Sequence, residues 1–191
     1  MASKKFASVY QVKATLDYIR PPIWRRFQVP SHITLYDLHR VLQVVMGWED
    51  AHLHQFIIQG QFFGLPEDDI LDEEIIDERK VTLNQILVQE KMKFKYEYDF
   101  GDSWSHTILV EKILEPEKGV LYPVCLKGKR NCPPEDCGGA PGYDYLLEVL
   151  KKPESKEYKQ YKEWLGEPFD SEEFDLQEIN KALKKIRKKI S

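Results

Sequence analysis

The stretch MKFKYEYDFGDSWSH, residues 92–106, indicates the fold most clearly because apolar and polar residues alternate along it almost without interruption. Such alternation is typical of a half-buried β-strand, and the Gly-Asp-Ser triplet at 101–103 predicts the turn that reverses the chain. With a three-residue loop, Tyr98 would face His106 and the apolar faces would stay together. A one-residue slip would turn every side chain to the opposite face. We therefore expect a central antiparallel hairpin in this register.

The residues before this hairpin predict a second hairpin, a helix and another strand. Residues 10–18 and 23–29 alternate apolar and polar side chains on the two sides of a Pro-Pro turn. A helix follows, with Thr34 as its N-cap, leucines and valines at three- and four-residue spacing, and Gly47 as its C-cap. Residues 54–58 then predict a strand. This order, ββαβ, is similar to the start of a β-grasp arrangement.

The remaining residues complete an α+β pattern. Residues 121–126 predict a further strand, and the periodicity then changes to that of helices. Three helices are expected, at 143–150, at 154–165 and from 171 or 175 onward. We therefore predict an antiparallel β-sheet with one helix packed across it and a helical C-terminal third. The chain is interpreted as a single α+β domain, 1–191, with a sheet-rich core at 8–140 and a helical part at 141–191.

Composition and charge exclude some classes of protein. The chain has 191 residues, of which 42% are hydrophobic and 31% charged, a balance typical of a soluble globular domain. No apolar run approaches the ~20 residues that a membrane helix needs, and the N-terminus, MASKKFASVYQ, lacks the apolar segment of a secretion signal. We therefore expect a cytoplasmic protein with no membrane partner. The net charge of −4 gives no overall attraction to nucleic acid.

Charge is distributed unevenly along the chain. Residues 67–78 contain eight acids in twelve positions, which predicts an exposed loop. The last eleven residues contain six bases and no acid. This is typical of a helix C-terminus whose cations complement the helix dipole.

The cysteines and three of the histidines are candidate metal ligands. The three cysteines, Cys125, Cys132 and Cys137, are an odd number and therefore a poor disulfide framework. Their thiolates could hold zinc together with His106 across the sheet, although their spacing lacks the closely paired pattern of most structural zinc sites. His52 and His54, two residues apart, could chelate a divalent metal from one side of a strand. The alternative is that the cysteines are small core residues.

A second set of candidates could carry catalysis. Carboxylates near a tight turn can act as general acid and base or hold a divalent ion, and histidine can transfer protons near neutral pH. The alternative is that the acids stabilise turns and the histidines are hydrogen-bonded core residues. The candidate catalytic residues are His54, Asp99, Asp102, His106, Glu135 and Asp136.

A third set could bind a ligand. Arg25 and Arg26 follow Trp24 and could contact a phosphate or carboxylate. Trp104, on the returning strand of the central hairpin, is a further candidate ligand-binding residue. The alternative for the arginines is a cross-strand ion pair with an acid.

These sets lead to three hypotheses about function. The first is a small binding or interaction module for an unknown small molecule or protein, with its surface at the 99–106 hairpin, the 130–139 loop and the His52/His54 strand. The second is a metal-dependent hydrolase acting on phosphoesters, with histidine and acidic ligands. The third is a DNA-associated protein that uses Arg25, Arg26 and the basic C-terminal tail. Whether the protein is an enzyme stays open at this point.

Several blocks of sequence resemble the Ri-plasmid ORF-3-like family, from about residue 8 to 186. They are PPIWRRFQVP (21–30), LYDLHRVLQVVMGWEDAHLHQF (35–56), YEYDFGDSWSH (96–106), YPVCLKGKRNCPPEDCGG (122–139), GYDYLLEVL (142–150) and EWLGEPFDSEEFDLQEIN (163–180). The resemblance implies an α+β fold and an uncharacterised protein, of a kind sometimes labelled a TnpR-like passenger protein of insertion elements. A serine resolvase needs an activated serine amid arginines and a helix-turn-helix. Neither pattern is found in this sequence.

Overall fold

The computed structural model describes residues 8–66, 75–166, 168–187 and 190. Within these residues the fold is α+β, with one mixed sheet of eight strands and five α-helices. The strands are β1 (Val9–Leu16), β2 (Trp24–Pro30), β3 (His54–Ile58), β4 (Gln61–Gly64), β5 (Ile75–Asp77), β6 (Lys93–Tyr98), β7 (Trp104–Leu114) and β8 (Val124–Lys129). The helices are α1 (Leu35–Met46), α2 (Leu83–Ile86), α3 (Gly139–Leu150), α4 (Lys156–Leu165) and α5 (Leu176–Ile186).

The strands lie in the order β5-β4-β3-β6-β7-β1-β2-β8 across the sheet. The paired strands are antiparallel apart from β4 and β5, which are parallel. The sheet is therefore mixed, whereas the sequence predicted an antiparallel one. The predicted hairpin of β1 and β2 and the predicted strand at 54–58 are confirmed. The β-grasp-like arrangement stays a prediction.

The capping residues of α1 explain its limits. The Thr34 side chain accepts a hydrogen bond from the backbone of Asp37, and the Asp37 carboxylate accepts one from the backbone of Thr34, which forms a capping box. Gly47 ends the helix in the left-handed region at φ 89°. Between these caps α1 buries six apolar residues in the common core with the sheet, namely Leu35, Leu38, Val41, Leu42, Val45 and Met46. Both predicted ends of this helix are confirmed.

The central hairpin has a different register from the predicted one. Tyr98 pairs with Trp104 and Tyr96 with His106, so the connection contains residues 99–103. The pairing of Tyr98 with His106 was wrong because Asp99 already belongs to the turn, with φ 59° and its carboxylate accepting hydrogen bonds from the next residues. The predicted and observed registers differ by two residues. Because this number is even, the predicted core face is retained.

The C-terminal helices differ from prediction mainly at their starts. α3 begins at Gly139, before the predicted 143, and β8 covers 124–129 and not 121–126. α5 packs against β8 and α1. Its Asn180 side chain bonds both the backbone N–H and the backbone C=O of Cys125, at 2.9 Å each. This contact satisfies backbone groups on the outer edge of the sheet.

Part of the acidic run lies among the described residues. Residues 67–74 of the predicted loop lie outside the described part of the chain. Ile75–Asp77 form β5, and Glu78–Lys80 form a 3₁₀ turn. Glu78, expected on an exposed loop, is instead fully buried. No helix of the described residues is long and apolar enough to cross a membrane.

The buried imidazole of His106 gives a test of the core. Burial lowers the pKa of His106 to about 4, although Nδ1 donates a weak hydrogen bond to the Tyr96 carbonyl. Between the unfolded pKa near 6.5 and this value, the unfolded chain binds a proton that the folded chain does not, so stability falls as the pH is lowered. We expect this residue to reduce the free energy of unfolding by about 3 kcal/mol from pH 7 to pH 4.

Urea unfolding of the protein and of His106→Asn, measured at several pH values in this window, checks this expectation. The variant should have the shallower dependence on pH. His32→Asn, which changes an exposed histidine, should keep the dependence of the unaltered protein. Parallel curves for the protein and His106→Asn would contradict the assignment.

Candidate functional site: a cavity and a neighbouring polar cluster

A cavity of about 570 Å³ lies between α1, β4 and the segment that leads into β3. Most of its wall is aromatic or aliphatic, and four of its large apolar side chains are exposed. These four are Leu53, Phe62, Leu65 and Phe100. A concave apolar surface of this volume, with a few polar groups, is typical of small-molecule sites.

Two stacked imidazoles contribute polar groups to this cavity. The rings of His39 on α1 and His54 on β3 have centroids 3.4 Å apart and planes inclined by 2°. Both side chains are buried. Each Nε2 contacts a carboxylate, His39 with Asp50 at 2.7 Å and His54 with Glu78 at 2.9 Å. Glu78 is fully buried, and its second oxygen, Oε2, has no hydrogen-bond partner among the described residues.

The hydrogen bonds around Tyr96 indicate the tautomer of His39. Gln43 donates to the Tyr96 hydroxyl at 3.0 Å, and this hydroxyl lies 2.8 Å from His39 Nδ1. If His39 donates its Nε2 proton to Asp50, Nδ1 accepts the Tyr96 proton. Every group in this series of hydrogen bonds is then satisfied. A neutral His39 therefore fits the network.

The pKa values agree with this assignment. Burial lowers the pKa of His39, and the hydrogen bond to Asp50 opposes the shift only in part. The nearby His54 lowers the pKa of His39 further, because two protonated imidazoles in a stack would repel each other. The hydrogen bond from His39 lowers the pKa of Asp50. At neutral pH this end of the cavity therefore carries the Asp50 carboxylate. His39 does not need to be protonated there.

A second polar cluster adjoins the cavity through His52. His52 Nε2 lies 3.8 Å from Asp99 Oδ2 and 3.3 Å from Asp136 Oδ1. One ligand atom from each of the three residues lies within 4.8 Å of the other two. Among the described residues, this is the one group of three or more histidine, cysteine or acidic side chains with that property. It joins candidates from three separate parts of the sequence.

The Tyr98 hydroxyl connects the chain segments that carry this cluster. It accepts a hydrogen bond from the backbone N–H of Ala51 at 3.0 Å and donates one to Glu135 at 2.7 Å. Burial, and then the hydrogen bond to Glu135, raise the pKa of Tyr98 well above its usual value. The Glu135 carboxylate also accepts from the backbone of Glu49 at 3.1 Å. Tyr98 therefore holds the segment before β3 and the loop after β8 against the central hairpin.

A second contact joins the hairpin to the same loop. The Asp102 carboxylate accepts a hydrogen bond from the backbone N–H of Gly138 at 3.1 Å. The next residue, Gly139, has φ 67°, and a Cβ atom there would lie 2.5 Å from the Asp102 carbonyl oxygen. Only glycine fits both requirements without strain. The predicted surface of hairpin, loop and β3 is therefore contiguous.

The other candidates have separate surroundings. His106 lies in the core, on the opposite side of Tyr96 from His54, with ring centroids 5.4 Å and 6.0 Å from that tyrosine. Its Nε2 has no hydrogen-bond partner among the described side and main chains. Asp102 and Glu135 are occupied by the contacts given above. His54 and His106 are therefore not members of the group that His52 forms with Asp99 and Asp136.

The three cysteines do not come together with His52. All three are reduced and buried, Cys125 between β8 and α5, and Cys132 beside Arg25 and Met46. Burial raises the pKa of Cys125 to about 11 and that of Cys137 to about 12, which disfavours the thiolate that a metal needs. In the part of the chain described, the candidate metal group contains His52 but no cysteine.

The predicted ligand-binding residues are internal or paired. Arg25, expected on a surface patch, is instead buried, and it donates to the backbone oxygens of Val45 and Lys129. Arg26 forms a two-point ion pair with Glu111, at 2.6 and 2.8 Å, as in the cross-strand alternative. Trp104 is also buried. These side chains therefore support the fold where they lie.

Sequence reasoning missed several residues around the cavity. Glu78 lies within the acidic run, which hides it, and Asp50 follows the predicted helix without any pattern that marks it. Leu53 and Phe62 gave no periodic signal of a shared wall because they belong to different elements. A useful signal was available only for Tyr96 and Tyr98, whose inward positions follow from the alternation of β6.

The eight-stranded mixed sheet and its helices place this molecule in the α+β class. The chain belongs to the plasmid pRiA4b ORF-3-like protein family, whose model matches residues 8–178. It is 40% identical over 179 residues to the uncharacterized protein y4hQ of Sinorhizobium fredii, across 93% of this chain and 91% of that protein. It is also similar to the crystal structure of a protein of unknown function, MM3350 of Methanosarcina mazei Go1, with TM-score 0.80, 42% identity, and coverage of 90% of this chain and 97% of that one. The names of these two relatives assign no activity.

The bridging role of Tyr98 gives a testable expectation. Tyr98→Phe removes the hydroxyl and leaves the Ala51 N–H and the Glu135 carboxylate without this partner. We expect a loss of about 2 kcal/mol in the free energy of unfolding. For a chain of this size, that corresponds to a decrease of roughly 4–8 °C in the melting temperature.

Calorimetry with Tyr145→Phe as the matched control checks this expectation. Tyr145 is exposed on α3, so its change should alter the free energy of unfolding by less than about 0.5 kcal/mol. Equal melting temperatures for the two variants would rule out a structural role for the Tyr98 hydroxyl.

Proposed function

We propose that this protein is a small-molecule binding module whose ligand occupies the cavity between α1, β4 and the start of β3. The supporting observation is the combination of a volume near 570 Å³ with exposed, large apolar side chains on its wall. Exposed apolar residues that collect in one concave surface favour a binding site over ordinary surface variation. The ligand is expected to be mainly apolar and to carry one polar group.

The charge of the cavity suggests the class of ligand. Its described lining includes Asp50 and three histidines, and it includes no lysine or arginine. Arg40 lies beside this lining, 6.0 Å from the Tyr36 ring centroid, but its guanidinium already contacts Asp37 at 3.9 Å. An anionic ligand would therefore have to compete for this cation, and burying an unpaired charge is costly. A cationic group could approach Asp50 and the aromatic side chain of Tyr36. We therefore propose a neutral or cationic ligand, such as a hydrophobic alcohol or amine.

The two other hypotheses receive less support. Phosphoester hydrolysis requires the binding of an anionic substrate, and without a bound metal ion the described cavity lining lacks cations to hold it. For DNA binding, Arg25 and Arg26 are already used inside the protein, and Lys181 pairs with Glu178. The single-domain organisation, the β-grasp-like likeness and the cytoplasmic location stay predictions.

Three naphthalene probes that differ in charge test the proposed ligand class. Binding of 2-naphthylmethylamine, 2-naphthalenemethanol and 2-naphthoate is measured by NMR chemical-shift titration in the presence of EDTA. The amine and the alcohol should bind, and the naphthoate should bind at least about tenfold more weakly, which corresponds to about 1.4 kcal/mol. Tight naphthoate binding would contradict the charge argument.

A pair of variants tests the location of the probe. Phe62→Ala removes a partly exposed wall residue and should weaken binding of the amine by about tenfold, the order expected for a lost aromatic contact. Leu121→Ala removes an exposed apolar residue that does not line the cavity and should leave the affinity unchanged. Equal affinities for the two variants would place the probe elsewhere.

A further inference from the structure

We propose that His52, Asp99 and Asp136 form a binding site for one divalent metal ion of the zinc class at the rim of the cavity. The three side chains come from the segment before β3, the turn after β6 and the loop after β8. The proposal concerns the ion alone and does not depend on any ligand in the cavity.

The distances between the side-chain atoms fit a shared ion. For metal–ligand bonds of 2.0–2.2 Å, two ligands of a tetrahedral zinc ion lie roughly 3.3–3.6 Å apart. His52 Nε2 is 3.3 Å from Asp136 Oδ1 and 3.8 Å from Asp99 Oδ2. The ligand atoms of Asp99 and Asp136 lie within 4.8 Å of each other, so a carboxylate must move to complete the triangle. Asp136 can make this movement, because its side chain is 71% exposed.

The imidazole nitrogen that points into this triangle has no hydrogen-bond partner among the described residues. His52 Nε2 is shielded from solvent and makes no hydrogen bond within the described chain. The approach of Asp136 at 3.3 Å gives an ion pair only if His52 is protonated and does not satisfy the geometry of a hydrogen bond. A shielded nitrogen that faces two carboxylate oxygens is the arrangement expected when an ion completes the contacts.

The Asp99 carboxylate is oriented before any ion binds. Its Oδ1 accepts hydrogen bonds from the backbone N–H groups of Gly101 at 2.9 Å and Asp102 at 3.3 Å. The backbone N–H of Asp99 donates to the carbonyl of Leu53 at 2.8 Å, which fixes this residue beside His52. Oδ2 is therefore directed toward His52. Such support by neighbouring hydrogen bonds is typical of metal ligands.

The ligand set indicates the kind of metal. One imidazole and two carboxylates suit zinc or manganese, whereas calcium and magnesium prefer oxygen ligands throughout. Three protein ligands leave at least one coordination position for water or for a group of a bound molecule. His52 also lines the cavity, so this position would lie at the cavity rim.

Isothermal titration of the EDTA-treated 191-residue chain with Zn²⁺, and in a second titration with Mn²⁺, tests the site. We expect saturable binding of one ion per chain. His52→Ala and Asp136→Asn should each weaken binding at least about tenfold, the lower end of the effect seen even for residues that only support a metal ligand. His32→Ala and Asp144→Asn change exposed residues outside the cluster and should bind as the unaltered protein does.

Cobalt substitution identifies the ligands independently. Co²⁺ bound by nitrogen and oxygen gives visible ligand-field bands without the near-ultraviolet thiolate charge-transfer band that cysteine ligands produce. The proposal is overturned if neither Zn²⁺ nor Mn²⁺ binds, if Asp136→Asn binds with unchanged affinity, or if the thiolate band appears. Circular dichroism identifies any variant that fails to fold, and the exposed Asp136 position gives a decisive result even if His52→Ala is unstable.

The outcome of the metal titrations can be distinguished from the outcome of the naphthalene titrations of the cavity. The metal titrations contain no organic probe, and the naphthalene titrations contain EDTA. A negative result in one set of titrations therefore leaves the proposal tested by the other set unaffected.

Discussion

The inward alternation of two tyrosines on β6 is the constraint on which both polar sites depend. The Tyr96 hydroxyl joins Gln43 and His39 beside the cavity, and the Tyr98 hydroxyl joins Ala51 to Glu135 beside the metal-ligand cluster. Both hydroxyls reach the same side of the sheet because side chains two residues apart on a strand share a face. A one-residue shift of β6 against β3 and β7 would replace them with charged side chains and remove both sites.

The polar interior beside the cavity is costly to maintain. Glu78 is fully buried, one of its oxygens has no partner among the described residues, and it lies against a pair of stacked imidazoles. Replacing such a group by apolar side chains is often neutral or stabilising, so stability alone does not account for it. Its physical consequence is orientation: Glu78 fixes His54, and Asp50 fixes His39. This supports a role for the network in presenting polar groups to a ligand.

Local rules in the sequence were sufficient for several elements but not for the contacts between them. Thr34 and Gly47 define α1 because each satisfies helix ends through its own backbone or side chain. The predicted register of the central hairpin was wrong because the length of the turn depends on the positive φ of Asp99. The alternation of apolar and polar residues does not reveal this φ. The pairing of Glu78 with His54 depends on strand order across the sheet, and that order follows from tertiary packing. Asp99 and Asp136 were suspected, but their meeting with His52 required the docking of a distant loop.

The two proposed sites are electrostatically coupled because His52 belongs to both. Without an ion, Asp99 and Asp136 contribute two negative charges near the cavity rim, and these favour a cationic ligand. A bound dication would neutralise them and shift the preference toward neutral ligands or toward groups that coordinate the metal. Thermodynamic linkage makes the effect reciprocal, so a cationic ligand would lower the affinity for the ion by the same factor. The coupling is expected to be modest and to decrease with salt, since Asp136 is largely exposed.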